Sequence, residues 1–221
     1  MTTSEYLRGR EVGRVWFWWV TAGEFSGFTV PAVLGAVNSL PALLVAAGLA
    51  EGAVLGWTQA HVLRRALPGF SVVRWTTATA LAAGFAWAVA MSMSANGERL
   101  ASWPVAVLVP LAAIAGMAVL LSIGSAQWLV LRHHVERAHR WIWATALAWG
   151  AGLVVFLAVA TPLWQPGQGL LLRAVIGVVA GLLMAATMAA VTGAAITRLT
   201  GATRYSSTEV PRTGRPPVSP R

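Results

Sequence analysis

Six stretches of the chain run twenty or more residues with no more than two charged side chains each. They lie near Val15–Asn38, Pro41–Leu63, Trp75–Ser94, Trp103–Leu131, Trp141–Leu163 and Leu170–Leu199. About 20 apolar residues, rising about 1.5 Å each, cross a hydrocarbon core of about 30 Å. Lipid offers the backbone no hydrogen-bond partner, so such stretches satisfy themselves as helices. The pattern therefore predicts an all-α polytopic membrane bundle with six transmembrane helices. The fourth and sixth stretches are long and are expected to tilt or to extend past the core. Pro31 and Pro110 fall inside spans, where neighbouring helices tolerate them. Residues 1–14 form an N-terminal segment, residues 15–200 the transmembrane domain, and residues 201–221 a tail. The tail, "GATRYSSTEVPRTGRPPVSPR", is rich in Pro, Ser, Thr and Arg. It has too little apolar surface to pack and is expected to be disordered.

The chain repeats itself. "GWTQAHVLR", from Gly56 to Arg64, returns 68 residues later as "GSAQWLVLR", from Gly124 to Arg132. "RWTTATALAAG", from Arg74, returns 66 residues later as "RWIWATALAWG", with eight of eleven positions identical. The two copies span about 51–94 and 119–163. One period holds two spans, so the copies run parallel, as hairpins related by an axis along the membrane normal. In the first hairpin, Trp19-Val20-Thr21-Ala22 is expected to echo Trp75-Thr76-Thr77-Ala78. At the end of the chain only Gly193 and Arg198 survive, without the Gln. Gly56 and Gly124 allow close helix approach, and Gln59 and Gln127 can bond across helices. Arg64 and Arg132 stop their spans at the headgroups.

These helix ends resemble those of a loosely defined group of bacterial multi-pass membrane proteins with repeated Gly-x-x-Gln-Trp-x-x-Leu-Arg. Gly124, Gln127, Trp128, Leu131 and Arg132 match in full. Gly56, Gln59, Leu63 and Arg64 match with Ala60 in place of Trp. The resemblance covers most of residues 15–199. It implies architecture and carries no activity and no site residues.

Composition agrees with the pattern: 57% of residues are apolar and 10% charged, against about 25% charged in soluble domains. There is no Cys, so neither disulfides nor thiolates contribute. The formal net charge of +9 is carried by arginine alone. Fourteen of the sixteen arginines fall at one end of the spans, leaving Arg99 and Arg173 at the other. The positive-inside rule then sets both termini in the cytoplasm, with the protein in the cell (inner) membrane. Trp16, Trp18, Trp75, Trp128, Trp141 and Trp143 are expected at the cytoplasmic interface, and Trp103 and Trp164 at the outer one. No basic stripe with interleaved aromatics appears, so nucleic acid is not an expected partner.

Two carboxylates interrupt the apolar spans. Glu24 lies about 15 Å from Arg14 at helical rise, and Glu51 about 20 Å from Arg64. Both fall near the midplane, where a charged side chain costs at least about 2.5–3.5 kcal/mol. At least one is expected to be carried as the neutral acid. Thr21, Thr58 and Gln59, with Ser26, could complete a buried polar site around them. Two readings stay open: a neutral carboxyl bonded to a neighbouring helix, or a functional site. His61, His133, His134 and His139 cluster at the cytoplasmic end without a metal-binding spacing. No cofactor, metal set or catalytic nucleophile is indicated. The leading expectation is a non-enzymatic scaffold for a lipid or small ligand, or a small permease-like protein. The alternative is proton- or cation-coupled transport through Glu24 and Glu51. The arginine asymmetry makes one direct prediction: reporter fusions at Arg221 and within residues 95–102 will report opposite compartments. A shared compartment would overturn the six-span arrangement.

Overall fold

The computed structural model describes residues 6–7, 9–37 and 40–208. Among these the chain is all helical: α1 (Arg10–Val37), α2 (Pro41–Ala66), α3 (Val72–Ala95), α4 (Gly97–Ala101), α5 (Val105–Leu131), α6 (Arg140–Leu163) and α7 (Leu170–Thr208). Five of them, α2, α3, α5, α6 and α7, are long and apolar enough to cross a membrane. The protein is thus a multi-pass helical membrane protein. Helix α1, with 28 residues, carries Arg10, Glu11, Arg14 and Glu24 and is not among those five. It nevertheless packs as they do. Neighbouring helices touch in the order α1–α2–α3–α5–α6–α7 and back to α1, which closes a ring.

Local sequence sets the ends. Pro41 opens α2, where its missing N–H is no loss. Gly69, at φ +69°, makes the turn after α2. The Ser71 side chain then accepts from the Arg74 N–H at 3.3 Å and caps α3. Helix α7 runs to Thr208, eight residues past the boundary read at 200. Residues 209–221 of the expected tail, and Asn38 at the end of the first expected span, lie outside the described residues.

Packing is uneven along the ring axis. The buried residues of α3 run from Trp75 to Gly84, and those of α5 from Ile123 to Leu131. Both sets sit toward the arginine-rich end. Here the Phe70 ring lies 5.2 Å from His134, joining the loops after α2 and α5. The Leu7 N–H donates to the Arg65 carbonyl at 2.9 Å, so the N-terminal segment meets the same end. Leu63, Leu131 and Ile196 are fully buried in this core. Toward the other end the helices expose most of their apolar side chains, α5 above all.

The repeated glycines explain the close approaches. A Cβ on Gly56 would lie 2.9 Å from Thr76 Cα, and one on Gly124 would lie 2.9 Å from Ile142 Cα. Neither backbone can yield as a flexible side chain would. Gly124→Leu will therefore destabilise the bundle by about 1–3 kcal/mol through overpacking. Gly116→Leu, on the same helix with open space around it, will change stability little. Thermal unfolding in one detergent checks this, and equal effects would remove the packing role of Gly124.

Candidate functional site

Two polar constellations lie inside the ring. The first binds the helices together. Trp16, Trp75 and Trp141, expected at the membrane interface, are instead completely buried. Their ring centroids lie 5.7 Å apart for Trp16 and Trp141, and 6.0 Å apart for Trp75 and Trp141. Trp18 and Trp143 stay exposed at 67% and 64%, as interfacial tryptophans do. A buried indole needs an acceptor for its N–H. Trp75 Nε1 donates to Gln59 Oε1 at 3.0 Å, Trp141 Nε1 to Gln127 Oε1 at 2.8 Å, and Trp16 Nε1 to Thr192 Oγ1 at 2.9 Å. The two glutamines are joined as well. Gln127 Nε2 donates to Gln59 Oε1 at 2.7 Å and to Thr79 Oγ1 at 2.9 Å. Gln59 and Gln127 thus tie α2, α3, α5 and α6 into one layer.

This layer revises the expected equivalence in α1. Trp16, not Trp19, joins Trp75 and Trp141. Trp19 stacks on His61 instead, at 4.5 Å between ring centroids. His61 also meets Trp57 at 5.7 Å, and its Nδ1 lies 3.2 Å from Arg64 Nη2. It therefore sits among aromatic rings rather than free in solvent.

The second constellation holds the carboxylates. Thr21, Glu24, Glu51, Thr58 and Gln59 are all buried, but they do not form one cluster. Gln59 belongs to the tryptophan layer. Thr58 Oγ1 donates to the Leu55 carbonyl at 2.8 Å, as threonines in helices do. Ser26 is exposed and bonds its own helix at Ala22 O, at 2.7 Å. Glu24 on α1 and Glu51 on α2 flank the close α1–α2 contact. A Cβ on Gly27 would lie 3.1 Å from the Glu51 carbonyl, and Gly23 faces Thr58, so the helices run very close. The two carboxyls are within electrostatic reach of each other. Glu24 Oε2 and Thr21 Oγ1 are buried with no hydrogen-bond partner among the described residues. Glu51 Oε2 accepts from Trp87 Nε1 at 2.8 Å.

Glu51 borders a cavity of about 340 Å³ within the ring, lined from all six long helices. Its wall is otherwise apolar or aromatic, including Phe28, Leu55, Trp87, Trp149, Phe156 and Met184. Trp87, Ala90, Val119, Leu120 and Leu153 are partly or fully exposed, while Glu51, Gly52, Leu55, Ala83, Ile123 and Met184 are buried. Such a space can hold an apolar body against one carboxyl. No group of three His, Cys, Asp or Glu among the described residues could hold a metal.

Trp87 is the site residue that the sequence reading missed. The repeat carries its signal. Glu51 and Trp87 correspond, at offsets of 68 and 66, to Val119 and Leu153. Glu51 and Trp87 thus differ from their counterparts and bond each other. All four side chains line the cavity.

No family model matches the chain, and no curated protein or solved structure is matched by it.

Gln127 is the most connected side chain of the buried layer. Gln127→Leu will leave the Trp141 N–H without its acceptor and Thr79 and Gln59 without their shared donor. A cost of about 1–3 kcal/mol is expected, since unsatisfied buried groups lose their full desolvation penalty. Chemical unfolding of the purified protein measures it, and a change below about 0.5 kcal/mol would show that the layer does not hold the ring.

Proposed function

We propose that this protein binds an apolar small molecule or lipid in the cavity of a six-span bundle and is not an enzyme. The reading makes α1 the sixth span, sets both termini in the cytoplasm and locates the protein in the cell membrane. It groups the helices as three equivalent pairs: α2 with α3, α5 with α6, and α7 with α1. Thr192 then stands where the other pairs have Gln59 and Gln127, and Trp16 where they have Trp75 and Trp141. The matching pairs Glu51–Trp87, Val119–Leu153 and Met184–Phe28 all face the cavity. Glu51 is about 20 Å from Arg64 along its helix, so the cavity belongs to the outer half of the membrane.

One observation carries the proposal: a central space of about 340 Å³ whose wall is apolar except at Glu51 and Trp87. Ligand pockets are typically apolar clefts with a few placed polar groups. A hydrated ion path would need polar groups along its length. A wall of this composition suits a ligand that is itself membrane-soluble.

Proton- or cation-coupled transport is the second reading. It draws support from Glu24 Oε2, buried without a partner beside a second carboxyl. The two are separated by one comparison. Native mass spectrometry from lipid nanodiscs is expected to show an apolar ligand or lipid retained by the wild type and lost by Val119→Trp, which fills the cavity. Proton or cation flux in liposomes that Glu24→Gln and Glu51→Gln abolish would favour transport. Identical ligand retention by wild type and Val119→Trp would overturn cavity binding.

A further inference from the structure

The cavity is one-sided in its electrostatics. Among its lining residues there is one carboxyl, Glu51, and no Arg or His. The same cavity is lined by four aromatic side chains, Phe28, Trp87, Trp149 and Phe156. Phe28 and Phe156 lie edge to face across α1 and α6, with centroids 6.3 Å apart. The Trp87 indole bond at 2.8 Å fixes the direction of the carboxyl. Glu24, on the neighbouring helix, is 98% buried, with Oε2 unpartnered among the described residues. The cavity itself thus offers one carboxyl and aromatic faces, both of which can attract a cation.

The kind of cation follows from what is missing. A hard metal ion must exchange its water for about six oxygen ligands. This wall supplies one carboxyl and no other oxygen-bearing side chain. An organic cation with spread charge is weakly hydrated, gives up little on entering, and brings its own apolar body to fill about 340 Å³. We propose that the cavity takes a lipophilic organic cation, a bulky apolar body bearing one positive charge, with Glu51 as its counter-ion and the aromatic rings as its cage. The proposal rests on the cavity-binding reading above and names the ligand class of that site.

Two probes with the same three-phenyl body separate the charge from the shape. Methyltriphenylphosphonium is cationic, and triphenylphosphine oxide is neutral and accepts hydrogen bonds. Their binding is measured by calorimetry on the full chain in nanodiscs of zwitterionic lipid, with protein-free nanodiscs subtracted. The wild type is expected to bind the phosphonium at least about tenfold more tightly than the oxide, the scale of a charge-assisted contact. Glu51→Gln, which keeps an acceptor for Trp87, is expected to erase that preference and leave oxide binding within about twofold. Trp149→Leu, distant from the carboxyl bond, is expected to weaken the phosphonium several-fold more than the oxide. It serves also as the test if Glu51→Gln fails to give a folded protein by circular dichroism. Equal or tighter binding of the oxide would overturn the cation class and leave the cavity reading standing. Equal loss of both probes in Glu51→Gln would do the same, by making Glu51 a shaping residue only. Binding of neither probe to the wild type would overturn both.

Discussion

The bond between Gln127 Nε2 and Gln59 Oε1 is the contact on which the rest of the ring depends. In lipid, apolar helices gain nothing from leaving their solvent, so association rests on close packing and hydrogen bonds. Gln127 makes three bonds within this layer. Its nitrogen reaches Gln59 and Thr79, and its oxygen takes the Trp141 N–H. Four helices are fixed by two amide side chains and the indoles that feed them. Glycines at positions 56 and 124 let the backbones come near enough for those side chains to meet. Because the bonds and the glycines lie toward the arginine-rich end, the packed core lies there too. The far halves of α3 and α5 are more exposed, although the Trp87 indole still bonds Glu51 there at 2.8 Å.

Deviation from the repeat is as informative as the repeat. Thr192 is shorter than glutamine, yet the Trp16 indole still finds its hydroxyl at 2.9 Å. Close approach makes up the difference: a Cβ on Gly13 would lie 2.8 Å from Thr197 Oγ1, and one on Gly193 would lie 3.1 Å from the Trp16 ring. The junction of α7 with α1 thus closes the ring by contact rather than by reach. Glu51 and Trp87 depart from the repeat in another way. They place a bonded polar pair where α5 and α6 place Val119 and Leu153.

Much of the fold was legible in the sequence because hydropathy along a membrane helix is a one-dimensional signal. The ends of α2, α5 and α6 fall within about three residues of the stretches read from composition. The twelve tryptophans were harder. A Trp near a helix end usually anchors at the interface, and linear position does not say which face it takes. Trp16, Trp18 and Trp19 stand almost side by side, and only the ring shows that Trp16 turns inward, Trp18 outward and Trp19 onto His61. Gln59 stands eight residues from Glu51, about 12 Å along the axis, and its partners are Trp75 on α3 and Gln127 on α5. Long-range pairing of this kind leaves no local pattern.

The cavity also constrains what can make it selective. At about 24 cal/mol per Å³, leaving 340 Å³ unfilled inside a packed core would cost on the order of 8 kcal/mol. An apolar occupant, lipid chains included, avoids that cost by supplying the missing contacts. Apolar shape alone therefore gives little selectivity. A hydrocarbon body meets a wall that a lipid tail contacts as well, and the two gain similar dispersion energy. Discrimination must come from something a lipid tail lacks. Along this wall Glu51, the Trp87 bond that orients it and the Trp149 indole differ from hydrocarbon in charge or hydrogen bonding. The matched departure from the repeat is therefore also the place where one occupant can be told from another.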